Sequence, residues 1–277
     1  MIYVLGGRGR LGRAIADAWG PGHVALLQRC VYEDWWRPGA DAEVRRYFDA
    51  AAPGSVVVIA SGLLDPALSE AEHERVNVAL AVQVIGGACS AGLRVVTLGT
   101  VMESLAHGVN RYVAAKTRLA QVVVQRASEG LPVLHVQLHT LYGLGSPSPH
   151  MFLGQMFEAL QKGRPFEMSP GHQLREYHHV EDDVAAIREL LTTQMNGVVA
   201  LSHGEPCALR DLAVDVFEQM HCMHLLRLGA RPEPPIDNFA TVLTRPSFLS
   251  RVDFRPALPN VARYMQDLLA HAATPNE

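Results

Sequence analysis

The sequence predicts an α/β fold in which a doubly wound parallel sheet is followed by a smaller carboxy-terminal lobe. Apolar runs typical of strands alternate with stretches of helical period through the first half of the chain. A glycine-rich loop joins the first strand to the first helix, and the alternation becomes irregular after Leu138. Because repeated strand–helix–strand units are joined by right-handed crossovers, this order predicts a parallel sheet covered by helices on both faces.

The first half contains five predicted strands, four of which lead into a helix. The strands are expected at residues 2–5, 23–28, 55–60, 94–98 and 132–138. The helices are expected from residue 9 onward, and at about 41–51, 71–91 and 110–128. Short β-branched runs favour strands, whereas the longer stretches have the apolar spacing of helices. We therefore assign residues 1–138 to one domain.

Residues 139–277 are predicted to form the smaller lobe. Its expected elements are a helix at 151–162, a strand ending near 178, a helix at 180–193, a strand at 197–201, and helices at 208–220 and 261–269. Within this half, residues of about 172–205 are expected to return to the main sheet. No clean linker separates the two halves.

Composition narrows the class of protein. The 277-residue chain is 48% hydrophobic with a formal net charge of −4, which is typical of a globular protein and argues against nucleic acid or an anionic membrane as partner. The four cysteines lack C-x-x-C spacing, which favours reduced thiols in a cytoplasmic protein. Neither a signal peptide nor an apolar run of membrane-spanning length is expected.

The loop LGGRGRLG places glycines at Gly6, Gly9 and Gly12, directly after the first predicted strand. Glycines at such a junction permit a tight turn, close approach of a phosphate to the backbone, and close packing of the helix on the sheet. The helix N-terminus then offers N–H groups to an anion. A plain structural turn is the alternative, but the position after the first strand of a parallel sheet favours a phosphate cradle.

A second motif is Y-x-x-x-K, formed by Tyr112 and Lys116 on a predicted helix. The spacing places phenol and ammonium one turn apart on the same face. A neighbouring ammonium favours the phenolate, so we expect Lys116 to lower the pKa of Tyr112 and make it an acid or base near neutral pH. A solvated lysine beside a half-buried tyrosine is the alternative.

Together these motifs resemble the extended short-chain dehydrogenase/reductases, in particular the nucleotide-sugar epimerases, dehydratases and reductases. The resemblance runs from Ile2 to about Leu212. Its further motifs are the strand segment SVVVIASG ending at Gly62, Asn77 on the long helix, the segment GTVME that contains Thr100, the pair Tyr142-Gly143, and the segment REYHHVED from Arg175 to Asp182. The resemblance implies a Rossmann-type fold and an NAD(P)-dependent enzyme.

The resemblance also implies the roles of individual residues. Tyr112 would be the general acid/base on a substrate oxygen, Lys116 would bind the nicotinamide ribose, and Thr100 would hydrogen-bond the same oxygen as Tyr112. Thr97 is an alternative to Thr100, because the segment aligns in more than one way. The cofactor would be bound by Gly6, Gly9, Arg10, Leu11, Gly12, Arg29, Ala60, Ser61, Gly62 and Lys116.

For the substrate, the resemblance implies that Arg175 meets a nucleotide diphosphate, with a surface salt bridge as the alternative. Asn77 is either the family's asparagine or a helix-surface residue. Thr100, Tyr112, His139 and Thr140 complete the expected substrate contacts, although the family usually has an arginine and an asparagine in the stretch that here reads Gln137 to Thr140. Homodimerisation through the helices at 76–91 and 110–128 is also implied.

Two departures from the family narrow the reaction. The family's acidic residue at the end of the second strand is absent, and Arg29, with Arg8, suits a 2′-phosphate, which favours NADP(H) over NAD(H). The Asp-Glu pair that dehydratases carry after the catalytic threonine is replaced by Val101 and Met102, which disfavours elimination. We therefore expect NADPH-dependent reduction of a keto group on a nucleotide-diphospho-sugar, by analogy a 4-keto-6-deoxy sugar.

Two alternatives remain open: an epimerase that retains NAD, and a dinucleotide-sensing protein without turnover. No metal site is expected from the sequence. His135 and His139 lie four residues apart on a predicted strand, which separates them along it, and the stretch from His221 to His224 lacks a further ligand cluster.

Overall fold

The computed structural model describes residues 1–65, 67–106 and 108–273. The chain forms two compact units. The first contains Met1–Leu138 and Val184–Leu201, and the second contains His139–Asp183 and the described residues from Ser202 onward. Of the segment expected to return to the main sheet, residues 184–201 belong to the first unit.

The first unit is built on a six-stranded sheet in which every pair of neighbours is parallel. The strands are β1 (Ile2–Leu5), β2 (Val24–Leu26), β3 (Val56–Ile59), β4 (Arg94–Thr100), β5 (Val133–Leu138) and β10 (Gly197–Ala200). Their order across the sheet is β10-β5-β4-β3-β1-β2. The order reverses at β1, so the predicted doubly wound fold is confirmed, and ligands of such sheets bind beyond the carboxyl ends of the strands at this reversal.

Helices complete the first unit. They are α1 (Arg10–Trp19), α2 (Arg29–Tyr32), α3 (Asp41–Phe48), α4 (Glu70–Glu74), α5 (Leu80–Ser90), α6 (Met102–Leu105), α7 (Arg111–Ser128) and, from Val184, α9 (Val180–Thr192). The helix expected at 71–91 is interrupted by a π-helical turn, Arg75–Ala79, between α4 and α5. Turns of this kind often occur at functional sites.

The core of the first unit lies between the sheet and its helices. Leu5, Val57 and Val84 are fully buried in one apolar cluster. Close packing of α5 on α3 depends on Gly87, because a Cβ there would lie 2.4 Å from the carbonyl O of Asp41. This packing holds the helix that carries the π-helical turn against the unit's core.

Among its described residues, the second unit has three short strand pairs and its own apolar core. Its strands are β6 (Thr140–Tyr142), β7 (Phe166–Glu167), β8 (Leu174–Arg175), β9 (Tyr177–His179), β11 (Cys207–Ala208) and β12 (Leu226–Arg227). Its longer helices are α8 (Phe152–Gln161), α10 (Leu209–Gln219) and α11 (Ala257–Ala273). Strand β6 pairs with β9, β7 with β12, and β8 with β11. The core includes the fully buried Met156, Phe217 and Met265.

None of the helices in the described part of the chain combines the length and the apolar character that crossing a membrane requires.

Candidate active site

The glycine-rich loop joins β1 to α1 at the carboxyl end of the central sheet. Gly6 has a φ of +87°, and a Cβ on it would lie 2.5 Å from the backbone N of Ser61. A Cβ on Gly12 would lie 2.4 Å from the carbonyl O of Gly6. Both positions therefore require glycine, because a side chain at either would push the loop away from the end of β3 or from its own helix.

Helix α1 begins without a side-chain cap, since Gly9 precedes it, and its first turn has no acidic residue. An N-terminus of this kind presents backbone N–H groups and the positive end of the helix dipole to an anion. Arg10 is half-buried and Leu11 is buried at the start of the helix. The N–H of Gly6 donates to the hydroxyl of Tyr32 over 3.1 Å, a contact that fixes the loop and that the sequence did not indicate.

Two arginines are exposed near the same edge of the sheet. Arg29 is the first residue of α2, which follows β2, and Arg8 lies within the glycine-rich loop after β1. Because β1 and β2 are parallel neighbours, both arginines follow the carboxyl ends of adjacent strands. No acidic residue lies between Leu26 and Arg29.

Asn77 lies in the π-helical turn and is only 1% exposed, so the alternative of a surface asparagine is wrong. Its side-chain amide makes hydrogen bonds of 2.9 and 3.1 Å to the N–H and the carbonyl of Leu63. A Cβ on Gly62 would lie 3.2 Å from Asn77 Oδ1 and 3.7 Å from Lys116 Nζ. The π-helical turn, the segment after β3 and Lys116 therefore meet at one point.

Tyr112 and Lys116 lie one turn apart on α7, as the sequence predicted. Lys116 Nζ is 5.9 Å from the centroid of the Tyr112 ring. Burial lowers the pKa of Lys116 to about 8, with the negative charge of Glu103 acting in the opposite direction. Burial and the charge of Glu103 raise the pKa of Tyr112. The expectation that Lys116 lowers the pKa of Tyr112 is therefore wrong for this structure, because desolvation dominates.

Thr100 and Thr97 differ in what surrounds them. Thr100, at the end of β4, is half-buried, and its hydroxyl oxygen accepts a hydrogen bond from the N–H of Met102 over 3.3 Å. Thr97 is fully buried, and its hydroxyl lies 2.7 Å from His135 Nδ1. The hydroxyl of Thr97 therefore has its hydrogen-bond partner within the core of the first unit.

A buried hydrogen-bond network contacts the backbone of Thr100, and the sequence did not indicate it. The Glu103–His135 network comprises the side chains of Thr97, Glu103, His135 and Gln137. Glu103 accepts hydrogen bonds from the N–H of Thr100 (2.7 Å), from Gln137 Nε2 (2.9 Å) and from His135 Nε2 (3.1 Å). Burial opposes ionisation of Glu103, but these hydrogen bonds outweigh it and keep its pKa below the usual value. The network fixes the backbone at Thr100.

In the second unit, Arg175 forms an ion pair, which was the alternative to its expected contact with a nucleotide diphosphate. Its guanidinium lies 2.5 Å from a carboxylate oxygen of Asp237 and donates to the carbonyl of Leu174 over 2.8 Å. The side chain remains 18% exposed. Thr140 is half-buried in β6, and its N–H donates to the carbonyl of Glu176 over 3.2 Å.

His139 belongs to a buried polar group that the sequence did not reveal. The His178 cluster comprises His139, Glu176, His178, Asp183 and His203. His178 donates to Asp183 Oδ1 from Nδ1 over 2.6 Å and to Glu176 Oε2 from Nε2 over 3.0 Å. His139 Nε2 lies 3.5 Å from the same Glu176 oxygen. His139 thus joins residues far away in the sequence rather than His135, which lies on β5, a strand that ends before His139.

Within this cluster the pKa shifts favour the charged forms of His178 and Glu176 and the neutral form of His139. Burial opposes protonation of His178, but the two carboxylates outweigh it and raise the pKa of this imidazole to about 9. Burial also opposes ionisation of Glu176, but hydrogen bonds and nearby imidazoles lower its pKa to about 2. Burial lowers the pKa of His139 to about 3, so this imidazole is neutral.

The model of the NAD dependent epimerase/dehydratase family matches residues 2–200, which is more than half of the chain. No curated protein sequence matches significantly. Among solved structures, UDP-glucose 4-epimerase from Thermotoga maritima with UDP-glucose is 16% identical, with a TM-score of 0.79 and 99% of each chain covered. At such identity the likeness shows the fold.

Two further structures show the same fold. A dTDP-glucose 4,6-dehydratase, DesIV from Streptomyces venezuelae, with NAD and TYD bound, has a TM-score of 0.76 at 16% identity, over 96% of this chain and 97% of that chain. RMD from Pseudomonas aeruginosa, complexed with NADPH, has a TM-score of 0.76 at 13% identity, over 98% of each chain. The chain belongs to the NAD dependent epimerase/dehydratase family and is an NAD(P)-dependent enzyme of the extended short-chain dehydrogenase/reductase type.

Proposed function

We propose that this protein reduces a keto group on a nucleotide-diphospho-sugar with NADPH, the sugar being a 4-keto-6-deoxy sugar. The observation that carries the proposal is the exposed Arg29 after β2, where no acidic residue is present, in a chain that retains Thr100, Tyr112 and Lys116. A guanidinium there suits a 2′-phosphate. A reductase draws on an exchanging NADPH pool, whereas an epimerase usually retains NAD.

The first unit fits a dinucleotide. Glycine is required at Gly6 and Gly12, and the uncapped N-terminus of α1 lies beside them. Ser61 Oγ is buried and has no hydrogen-bond partner among the described residues. The residues that would hold the cofactor are Gly6, Gly9, Arg10, Leu11, Gly12, Arg29, Ala60, Ser61, Gly62 and Lys116. When bound, the nicotinamide supplies a hydride.

The protein's own residues would orient the substrate carbonyl and protonate it. Thr100 accepts a hydrogen bond from Met102 at its hydroxyl oxygen, which leaves the hydroxyl hydrogen to donate to a substrate oxygen. Tyr112 holds its proton at neutral pH, because burial and Glu103 raise its pKa. A protonated phenol is a proton donor, as reduction of a carbonyl requires.

The carboxylate nearest to Thr100 in sequence supports reduction over elimination. Val101 and Met102 follow Thr100, and the next residue, Glu103, is 2% exposed. Its two oxygens accept hydrogen bonds from Thr100, His135 and Gln137. A carboxylate engaged in this way is a poor acid or base for removing water from a sugar.

In the second unit we propose that His139, Thr140 and Arg175 contact the substrate, with Arg175 on the diphosphate. Arg175 pairs with Asp237 in this structure, so binding would exchange one carboxylate for phosphate oxygens. We also propose a homodimer formed through α5 and α7 in the cytoplasm. The four cysteines are unpaired, which agrees with that compartment.

The experiment is to denature freshly purified protein, identify any released dinucleotide by mass, and compare thermal shifts with NADPH and NADH. We expect no stoichiometric NAD and a larger shift with NADPH. The difference should disappear in Arg29→Ala and persist in the control Arg37→Ala, an exposed arginine paired with Asp34. Stoichiometric bound NAD would instead support an epimerase and overturn the role of Arg29.

A further inference from the structure

We propose that His139, Glu176 and His178 bind a divalent transition-metal ion of the zinc type. All three side chains are buried: 6%, 1% and 0% of their side-chain surfaces are exposed. One donor atom from each residue lies within 4.8 Å of the other two. The site lies within the second unit, and its existence does not depend on the proposed sugar reduction.

The spacing of the donors suits a tetrahedral ion. With zinc–nitrogen and zinc–oxygen bonds of about 2.0–2.1 Å, the donors of a tetrahedral site lie about 3.3 Å apart. Glu176 Oε2 lies 3.0 Å from His178 Nε2 and 3.5 Å from His139 Nε2. Both distances are close to that value, and the donors of the two imidazoles lie within 4.8 Å of each other, so the three residues can supply three of the four tetrahedral positions and solvent the fourth.

A buried nitrogen of the cluster needs a ligand. His139 Nε2 has no hydrogen-bond partner among the described residues, although its side chain is more than nine-tenths buried. His203 Nε2, on a side chain that is 9% exposed, also lacks one. Buried polar atoms normally have partners. A metal ion would bind the lone pair of a neutral imidazole nitrogen. A carboxylate cannot do so, because it has no proton to donate.

The surrounding hydrogen bonds orient the donors. Asp183 accepts from His178 Nδ1 over 2.6 Å, which directs Nε2 towards Glu176. Ser202 Oγ donates to Glu176 Oε1 over 2.6 Å and so leaves Oε2 on the side of the imidazoles. Carboxylate–histidine pairs of this kind commonly orient metal ligands. The ion would replace the proton between His178 Nε2 and Glu176 Oε2, and that proton would leave to solvent.

The donor set selects the class of ion. Two imidazole nitrogens and one carboxylate oxygen suit Zn²⁺ or Co²⁺, whereas Mg²⁺ and Ca²⁺ prefer oxygen ligands. His203 lies next to these ligands, with its ring centroid 4.8 Å from that of His178 and its Nδ1 3.8 Å from Glu176 Oε2. Its Nδ1 accepts from the N–H of Glu205, so the proposed ligands are the three residues whose donor atoms lie within 4.8 Å of one another.

The test uses the full chain without cofactor or substrate, so its outcome is separate from that of the proposed function. Chelator-treated protein is titrated with ZnSO₄ by calorimetry, metal per chain is measured by mass spectrometry, and CoCl₂ is added to observe the visible absorption of tetrahedral cobalt. We expect one ion per chain and tetrahedral cobalt absorption. His139→Gln should weaken zinc binding by at least about 100-fold, since loss of a residue that merely orients a ligand already costs up to about that factor.

His139→Gln is chosen because it leaves the hydrogen bonds of His178 to Glu176 and Asp183 unchanged. The matched control is the double variant His221→Gln, His224→Gln, which removes two exposed histidines of the same unit and should bind zinc as the wild type does. Folding of each variant is checked by circular dichroism. Absence of a stoichiometric ion in folded wild-type protein overturns the site, even if His139→Gln does not fold. Undiminished binding by folded His139→Gln, or loss of binding in the control, also overturns it.

Discussion

Each unit contains a buried group of histidine and carboxylate side chains, and the two groups differ in how completely they are hydrogen-bonded. In the Glu103–His135 network, no buried side-chain nitrogen or oxygen lacks a partner among the described residues. In the His178 cluster, His139 Nε2, His203 Nε2 and Asp183 Oδ2 all lack one. Both groups are almost completely buried.

The difference indicates different roles. A fully hydrogen-bonded network rigidifies the structure around it, and the Glu103–His135 network does so for the backbone at Thr100, which Glu103 binds directly. Buried atoms without partners are costly, which is why they are rare in folded proteins. The His178 cluster therefore has the character of a ligand site, whereas the Glu103–His135 network holds the backbone at Thr100, which we propose to be a catalytic residue.

The largest effect is expected for Tyr112→Phe, which tests whether the first unit holds the proton donor of the proposed reaction. Loss of the phenolic proton should lower kcat by about 10³-fold, the usual scale of general acid catalysis. The measurement is NADPH oxidation with a 4-keto-6-deoxy sugar nucleotide. Tyr47→Phe, at an exposed tyrosine, is the control and should retain full activity. Near-normal turnover by Tyr112→Phe would contradict the proposed mechanism.

Lys116→Met should abolish activity but stabilise the cofactor-free protein. The pKa of Lys116 falls from 10.5 to about 8 on burial, so the folded state at pH 7 carries a buried ammonium that the variant removes. The gain in the free energy of unfolding should be up to about 3 kcal/mol below pH 8. It should fall steadily as the pH rises above 8 and disappear above 10.5, where lysine is neutral in both states.

Urea unfolding at pH 7 and at pH 10 measures this gain. Lys162→Met removes an exposed lysine and is the control, with little expected change at either pH. A variant that is equally stabilised at both pH values would show that apolar packing, rather than removal of a buried charge, is the cause.

A direct test of the fully hydrogen-bonded group is His135→Gln. Glutamine cannot reach both Thr97 and Glu103, so at least one buried polar atom should lose its partner. The free energy of unfolding should fall by about 2 kcal/mol. Urea unfolding at neutral pH measures it, and an unchanged midpoint would mean that the network contributes little to stability.

The smallest effect is expected for His203→Gln in the metal-free protein. His203 Nε2 has no hydrogen bond among the described residues, and a glutamine oxygen can replace Nδ1 as the acceptor for the N–H of Glu205. The free energy of unfolding should change by less than about 1 kcal/mol. A loss as large as that of His135→Gln would remove the contrast between the two groups.

Local sequence patterns predicted much of the fold and part of the candidate site. The alternation of strands and helices, the glycines at Gly6, Gly9 and Gly12, and the pair Tyr112 and Lys116 follow from signals within a few residues of one another. Such signals act through backbone conformation and helix periodicity, which nearby residues largely control. The same patterns predicted that Arg29 follows the second strand of the sheet.

Only the tertiary structure determined how distant polar residues are combined. Asn77 in the π-helical turn binds Leu63, 14 positions earlier, and the Glu103–His135 network depends on the register of β4 against β5. The His178 cluster joins residues from 139 to 203, and the ion pair of Arg175 joins residues 62 positions apart. Burial then raised the pKa of Tyr112, although its neighbour in the motif is a lysine. Desolvation and long-range hydrogen bonds depend on packing, and no local periodicity in the sequence encodes them.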